Sequence, residues 1–199
     1  MSNSDLFSYL SAFVTIVLAV AITDMIQSTH RLIRARNRVK WDLAHLIFAA
    51  MVAATIVSEF FSLWDTFDVT TITFLQLIWI LTIPTLFALL AYSVLPDDVP
   101  AEGLDLRQFY LRERKLWVGI YAAATLFDIV RSFILVSHNR AWVVEYLGYV
   151  ALLLSPILIA LWLMWLGKSR RWDVAAVVIL ASIAIYGMAA WTISAKPNT

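Results

Sequence analysis

Six stretches of this chain stay apolar for about twenty residues at a time, the length a helix needs to cross the hydrocarbon of a bilayer. No other feature constrains the fold as tightly, because a backbone amide has no partner in lipid and such a stretch must pair its own amides as a helix. With 62% hydrophobic residues in 199 and a mean hydropathy of +0.81, little chain is left for a water-soluble part. The expected fold is therefore an all-α integral membrane protein, one membrane domain over residues 1–199.

Read between polar breaks, the spans are Phe7–Thr29, Trp41–Trp64, Thr70–Leu95, Lys115–Val136, Ala141–Leu166 and Trp172–Ser194. The first lacks a basic leader and a small-residue cleavage site, so it reads as a retained helix rather than a signal peptide. Arg31, Arg34, Arg36, Arg38 and Lys40 crowd the first connection. Arg107, Arg112 and Arg114 occupy the loop 96–114, and Lys168, Arg170 and Arg171 precede the last span. The opposite side receives Asp65, Asp68, the turn His138–Arg140 and Lys196, a far poorer basic set. The positive-inside rule then puts the three basic loops in the cytoplasm and both termini on the outer side. Trp41, Trp64, Trp117, Trp142, Trp165, Trp172 and Trp191 fall near span ends, as an aromatic belt would place them, while Trp79 is expected to face the interior. In the loop 96–114, Asp105 and Gln108 have the spacing of a capping box. It opens either a short interfacial helix or an extension of the fourth span.

The two halves, 7–95 and 115–194, align with Asp24 on Asp128, Ser28 on Ser132, Asn37-Arg38 on Asn139-Arg140 and Trp64 on Trp165. Apolar identities between membrane helices mean little, so the weight rests on the Asp pair and the Asn-Arg pair. Three spans per half would make this a 3+3 inverted-topology repeat, an arrangement that lets two halves pack around one site and open it to either side.

An intramembrane carboxylate costs roughly 2.5–3.5 kcal/mol or more, so each should face the interior and have a partner. Asp128 has Arg131 three residues on, on the same helix face, whereas Asp24 has Gln27 in the equivalent place and lacks an in-helix cation. These four residues form the expected polar centre. Pro84 and Pro156 each remove a backbone hydrogen bond within a span and are expected helix kinks. Glu59, near the end of the second span, and Glu145 read as interface anchors, with Glu59 also able to accept a proton. His45, one turn inside Trp41, could accept a proton or share a haem or metal with His30, but the satisfied interfacial histidine is the favoured reading. Ser8, Ser11, Thr15, Ala19 and Thr23 make a small, weakly polar stripe along the first span, and the alanines Ala49, Ala50, Ala53 and Ala54 another on the second; both suit close helix packing.

A net charge of +1 gives no basic face for nucleic acid, and the absence of cysteine removes disulfide, thiolate-metal and sulfur redox chemistry. No nucleophile–base arrangement, metal motif or phosphate loop is present, so neither enzymatic activity nor a metal or cofactor is expected. The leading expectation is a small transporter or channel for an ion, proton or small solute. The alternative is a non-catalytic accessory or scaffold subunit of a larger membrane complex. The expected partners are the lipid bilayer and a second copy or larger complex, in a bacterial inner membrane.

Overall fold

A computed structural model describes residues 3–66, 74–136, 143, 144, 147, 148, 154–166 and 170–190. The chain is all-helical: α1 (Asn3–Arg34), α2 (Leu43–Thr66), α3 (Phe74–Val94), α4 (Leu106–Val136), α5 (Ser155–Leu166) and α6 (Arg170–Ala190). Among the described residues three helices are long and apolar enough to cross a membrane, over Ser8–Arg34, Leu43–Phe61 and Leu77–Val94, and α5 is a shorter apolar helix. Phe13, Ile16, Val20 and Ile26 on α1 and Leu158, Ile159 and Trp162 on α5 are exposed. Apolar faces of this kind suit lipid rather than water.

Helices α2, α3, α4, α5 and α6 contact one another in a closed ring, and α1 lies against α2 and α3 on its outside. Each helix contributes an inward face at spacings of three and four residues: Phe48, Val52 and Ile56 from α2, Phe87, Leu90 and Ala91 from α3, Trp117, Tyr121 and Ala124 from α4, and Ala160, Leu161 and Met164 from α5. The buried face of α1 is Val14, Leu18, Ala21, Met25, Ser28 and Leu32. The weakly polar stripe expected to pack is therefore not the packing face: Ala19 and Thr23 are exposed, and Ser11 and Thr15 only half-buried. The hydroxyls of Thr15 and Thr23 donate to the carbonyls of Ser11 and Ala19 one turn back, at 2.6 and 2.8 Å. Paired within their own helix, they lose the reason to seek another one.

At the end of the bundle carrying the basic loops, β1 (Val39–Lys40) and β2 (Leu104–Asp105) form a two-residue parallel clip, with Val39 opposite Leu104 and Lys40 opposite Asp105. Gly103 makes the clip possible. Its φ is +100°, and a Cβ there would lie 2.8 Å from the carbonyl oxygen of Arg38, so only glycine allows the two loops to approach. Asp105 then caps α4, its carboxylate accepting from the amides of Arg107 and Gln108 at 3.0 and 3.2 Å. That helix runs without a break to Val136. Of the two arrangements open to the sequence, the extended fourth helix is the one observed.

Candidate functional site

The seam between α2 and α4 gathers most of the buried polar chemistry among the described residues. At its basic-loop end, Asp42 precedes α2, and its carboxylate accepts from the amide of His45 at 3.1 Å, the geometry of an N-cap. Arg170 at the start of α6 reaches the other oxygen of Asp42 at 3.6 Å. Beside it, Arg114 of α4 pairs with Asp173 of α6 at 2.9 Å, and both side chains are largely buried. These contacts join α2, α4 and α6 by charge.

Inside this lock His45 is fully buried. Its ring centroid lies 5.4 Å from Trp117, 5.8 Å from Phe109 and 6.1 Å from Tyr110, all on α4. Trp117 is equally buried, stacks on Phe48 at 5.7 Å, and its indole N–H donates to the carbonyl of Ser93 on α3 at 3.1 Å. Both ring nitrogens of His45 and the hydroxyl of Tyr110 have no hydrogen-bond partner among the described residues. Burial pushes the Tyr110 phenol well above its ordinary pKa, with the nearby Asp173 carboxylate adding to the effect; the group stays protonated.

Further along the seam Tyr121 of α4 is buried and stands near Thr55 and Glu59 of α2. Thr125 is buried and Asp128 half-buried. Positions 121, 125 and 128 recur at four and three residues, so they share one face of α4, as 55 and 59 share one face of α2. A line of polar groups thus runs from the aromatic lock towards the far end of the bundle.

The sequence-based candidates divide across this frame. Glu59 stands near Tyr121 in the seam, Asp128 stands on the α4 face that carries Tyr121 and Thr125, and both make interactions. Asp24 is half-buried and Gln27 exposed on α1, a helix that makes no extended contact with α4 among the described residues. The charged groups acting on Asp24 are Asp97 and Arg31, and Arg31 itself donates to the Asp97 carbonyl at 2.7 Å. Asp24 and Asp128 are not brought into one centre. Pro84 is buried inside α3, and Pro156 is half-buried in the first turn of α5. His45 is fully buried and both its ring nitrogens lack a hydrogen-bond partner among the described residues, so it is not the satisfied histidine expected, and exposed His30 lines a groove to which His45 does not contribute. Trp117 likewise belongs to the core and not to an aromatic belt. Trp79 packs on Phe127 at 4.5 Å, turned towards α4. The side chain of Arg131, together with Asp68, residues 137–142, Glu145, Lys168 and residues 191–199, lies outside the described residues.

Asp42, Arg114 and Asp173 escaped the sequence reading. Asp42 carried a usable signal, an Asp standing directly before an apolar helical run. The Arg114–Asp173 pair joins residues 59 positions apart, and no local pattern announces such a pair. No protein-family model, curated protein or solved structure matches this chain.

Proposed function

We propose that the protein is a small membrane transporter or channel for an ion, a proton or a small solute, with the polar seam of α2 and α4 as its working part. The observation supporting this reading most directly is the grouping of Thr55 and Glu59 on α2 with Tyr121, Thr125 and Asp128 on α4. Carboxylates within membrane helices are costly and are retained where they carry ions or protons, or hold helices together. Glu59 and Asp128 are carboxyls of this grouping beyond the lock, while Tyr121 and Thr125 supply neutral hydroxyls between them and the lock. The six-span count, the inverted relation of the halves, the outward termini and a bacterial inner membrane complete this proposal. The test is flux of protons and alkali cations into vesicles holding the purified protein. Glu59→Gln and Asp128→Asn should each remove flux while the protein still elutes as a folded peak. Flux retained in both variants overturns the reading.

A second reading, an accessory or scaffold subunit of a larger membrane complex, is favoured by α1. Thr23 and Gln27 are exposed there and Asp24 is half-buried, within a helix whose other outward residues are largely apolar. Polar groups on an outward membrane face are satisfied by hydrogen bonds to another helix. A photo-crosslinker in place of Gln27 should then capture a discrete protein partner in native membranes. Adducts to lipid alone would remove this second reading.

A further inference from the structure

A groove of about 660 Å³ lies between the C-terminal half of α1 and the start of α2, closed at one side by Leu95. That volume falls in the range of small-molecule sites. Ile22, Met25, Ile26 and Ile33 form the α1 wall, and Ala49, Ala50 and Ala53 leave the floor without bulk. From Ile22 to Ile33 the groove follows twelve residues of helix, about 16 Å at the α-helical rise. This is about half of the roughly 30 Å hydrocarbon thickness, so the groove spans one leaflet.

Its polar end is distinctive. Thr29, His30 and Trp41 line it there, and no carboxylate does. Arg34 follows His30 by one helical turn, Lys40 adjoins Trp41, and both are exposed. Neither has an ion-pair partner within 4 Å among the described residues. Arg31, by contrast, is engaged with the Asp97 carbonyl. Arg34 and Lys40 do not line the slot but adjoin its lining residues, so an apolar slot one leaflet deep stands beside two cations that make no ion pair among the described residues.

We infer that this groove binds one anionic phospholipid, with an acyl chain along Ala50 and Ala53 and the phosphate headgroup held by Arg34 and Lys40. A zwitterionic lipid fits the slot equally well, but its headgroup carries its own cation and gains less from theirs. The proposal does not depend on whether the protein transports anything.

The test is retention of lipid by the full chain after reconstitution into nanodiscs of equal phosphatidylglycerol and phosphatidylcholine with identical chains, read by native mass spectrometry on gentle release. Wild-type protein should retain one phosphatidylglycerol, enriched over phosphatidylcholine on the order of tenfold for two surface cations. The double variant Arg34→Gln/Lys40→Gln should bring the two lipids to near-equal retention. Ala50→Phe, which fills the slot, should lose both. Equal retention by the wild type, or an enrichment unchanged by the charge variant, overturns the proposal. Both cations are exposed, so the charge variant decides the headgroup contact whether or not Ala50→Phe folds.

Discussion

His45 and Asp24 both stand on apolar helices within a few turns of the basic connection 31–40, yet they occupy opposite environments. His45 is fully buried, caged by three aromatic rings from α4, with its own amide held by Asp42. Asp24 is half-buried on a helix outside the ring, between exposed Thr23 and exposed Gln27. The histidine expected to be satisfied is buried without a hydrogen-bond partner among the described residues, and a carboxylate expected at the polar centre stands on the outer helix. Distance along a span measures depth in a membrane. It says nothing about azimuth, and azimuth decides which groups meet.

The largest effect that would break this contrast comes from the wall of the cage. Trp117→Ala removes a fully buried indole and its hydrogen bond to Ser93, which should lower stability by about 3–5 kcal/mol in detergent unfolding. Trp162, exposed on α5, is the matched control, and Trp162→Ala should be near-neutral in the same assay. Equal losses from both would mean that Trp117 is not the keystone of the α2–α4 seam.

Next comes the charge lock. Arg114→Ala strands the Asp173 carboxylate in a largely buried place and should cost about 3 kcal/mol. Removing both partners should recover part of that loss, since no uncompensated charge remains. Arg112, two residues away, pairs with Glu113 at 2.7 Å but is mostly exposed, and Arg112→Ala should cost under about 0.5 kcal/mol. A common value for the two arginines would contradict the buried assignment of Arg114.

The clip gives a smaller effect. Gly103→Ala places a methyl against the Arg38 carbonyl at a positive φ and should destabilise by about 1–3 kcal/mol, with faster proteolysis within residues 96–105. At Gly119 on α4 an added methyl would meet nothing within 4 Å, so Gly119→Ala should leave both readouts unchanged.

Much of the architecture could be read in advance, for a physical reason: hydrophobic length is a one-dimensional signal. The expected spans Trp41–Trp64 and Thr70–Leu95 correspond to α2 at Leu43–Thr66 and α3 at Phe74–Val94, and Asp105 caps α4 as its spacing implies. The site was legible only in its ingredients. Asp128 and Glu59 stand out in the sequence as costly residues, but their association with Tyr121 and Thr125 depends on how α2 and α4 are turned, and lipid-facing and core-facing residues in a membrane helix are equally apolar. On α1 the polar stripe draws attention to Thr15 and Thr23, whose hydroxyls are satisfied within the helix, while packing runs through Val14, Leu18, Ala21 and Met25. Trp117 misleads for a related reason, because a tryptophan near a span end reads as a belt residue until a neighbouring helix supplies an acceptor such as the Ser93 carbonyl.

The smallest effect is also the sharpest, because its sign is reversed. His45→Leu keeps the backbone amide that Asp42 caps and exchanges an imidazole with two unpaired nitrogens for an apolar side chain of similar size. A buried polar atom without a partner costs about 1–3 kcal/mol, so its apolar replacement should be neutral or stabilising by about 1 kcal/mol, part of the gain being offset by lost contact with the rings of Phe109, Tyr110 and Trp117. A gain in unfolding midpoint together with unchanged flux would assign His45 to packing and leave proton handling to Glu59 and Asp128. A gain in stability with lost flux would instead extend the working seam into the aromatic cage, since only a group that exchanges protons during turnover has reason to be held there at a cost to the fold. A loss comparable to that of Trp117→Ala would show that the imidazole finds hydrogen bonds in the membrane, and the contrast between caged His45 and peripheral Asp24 would then rest on burial alone.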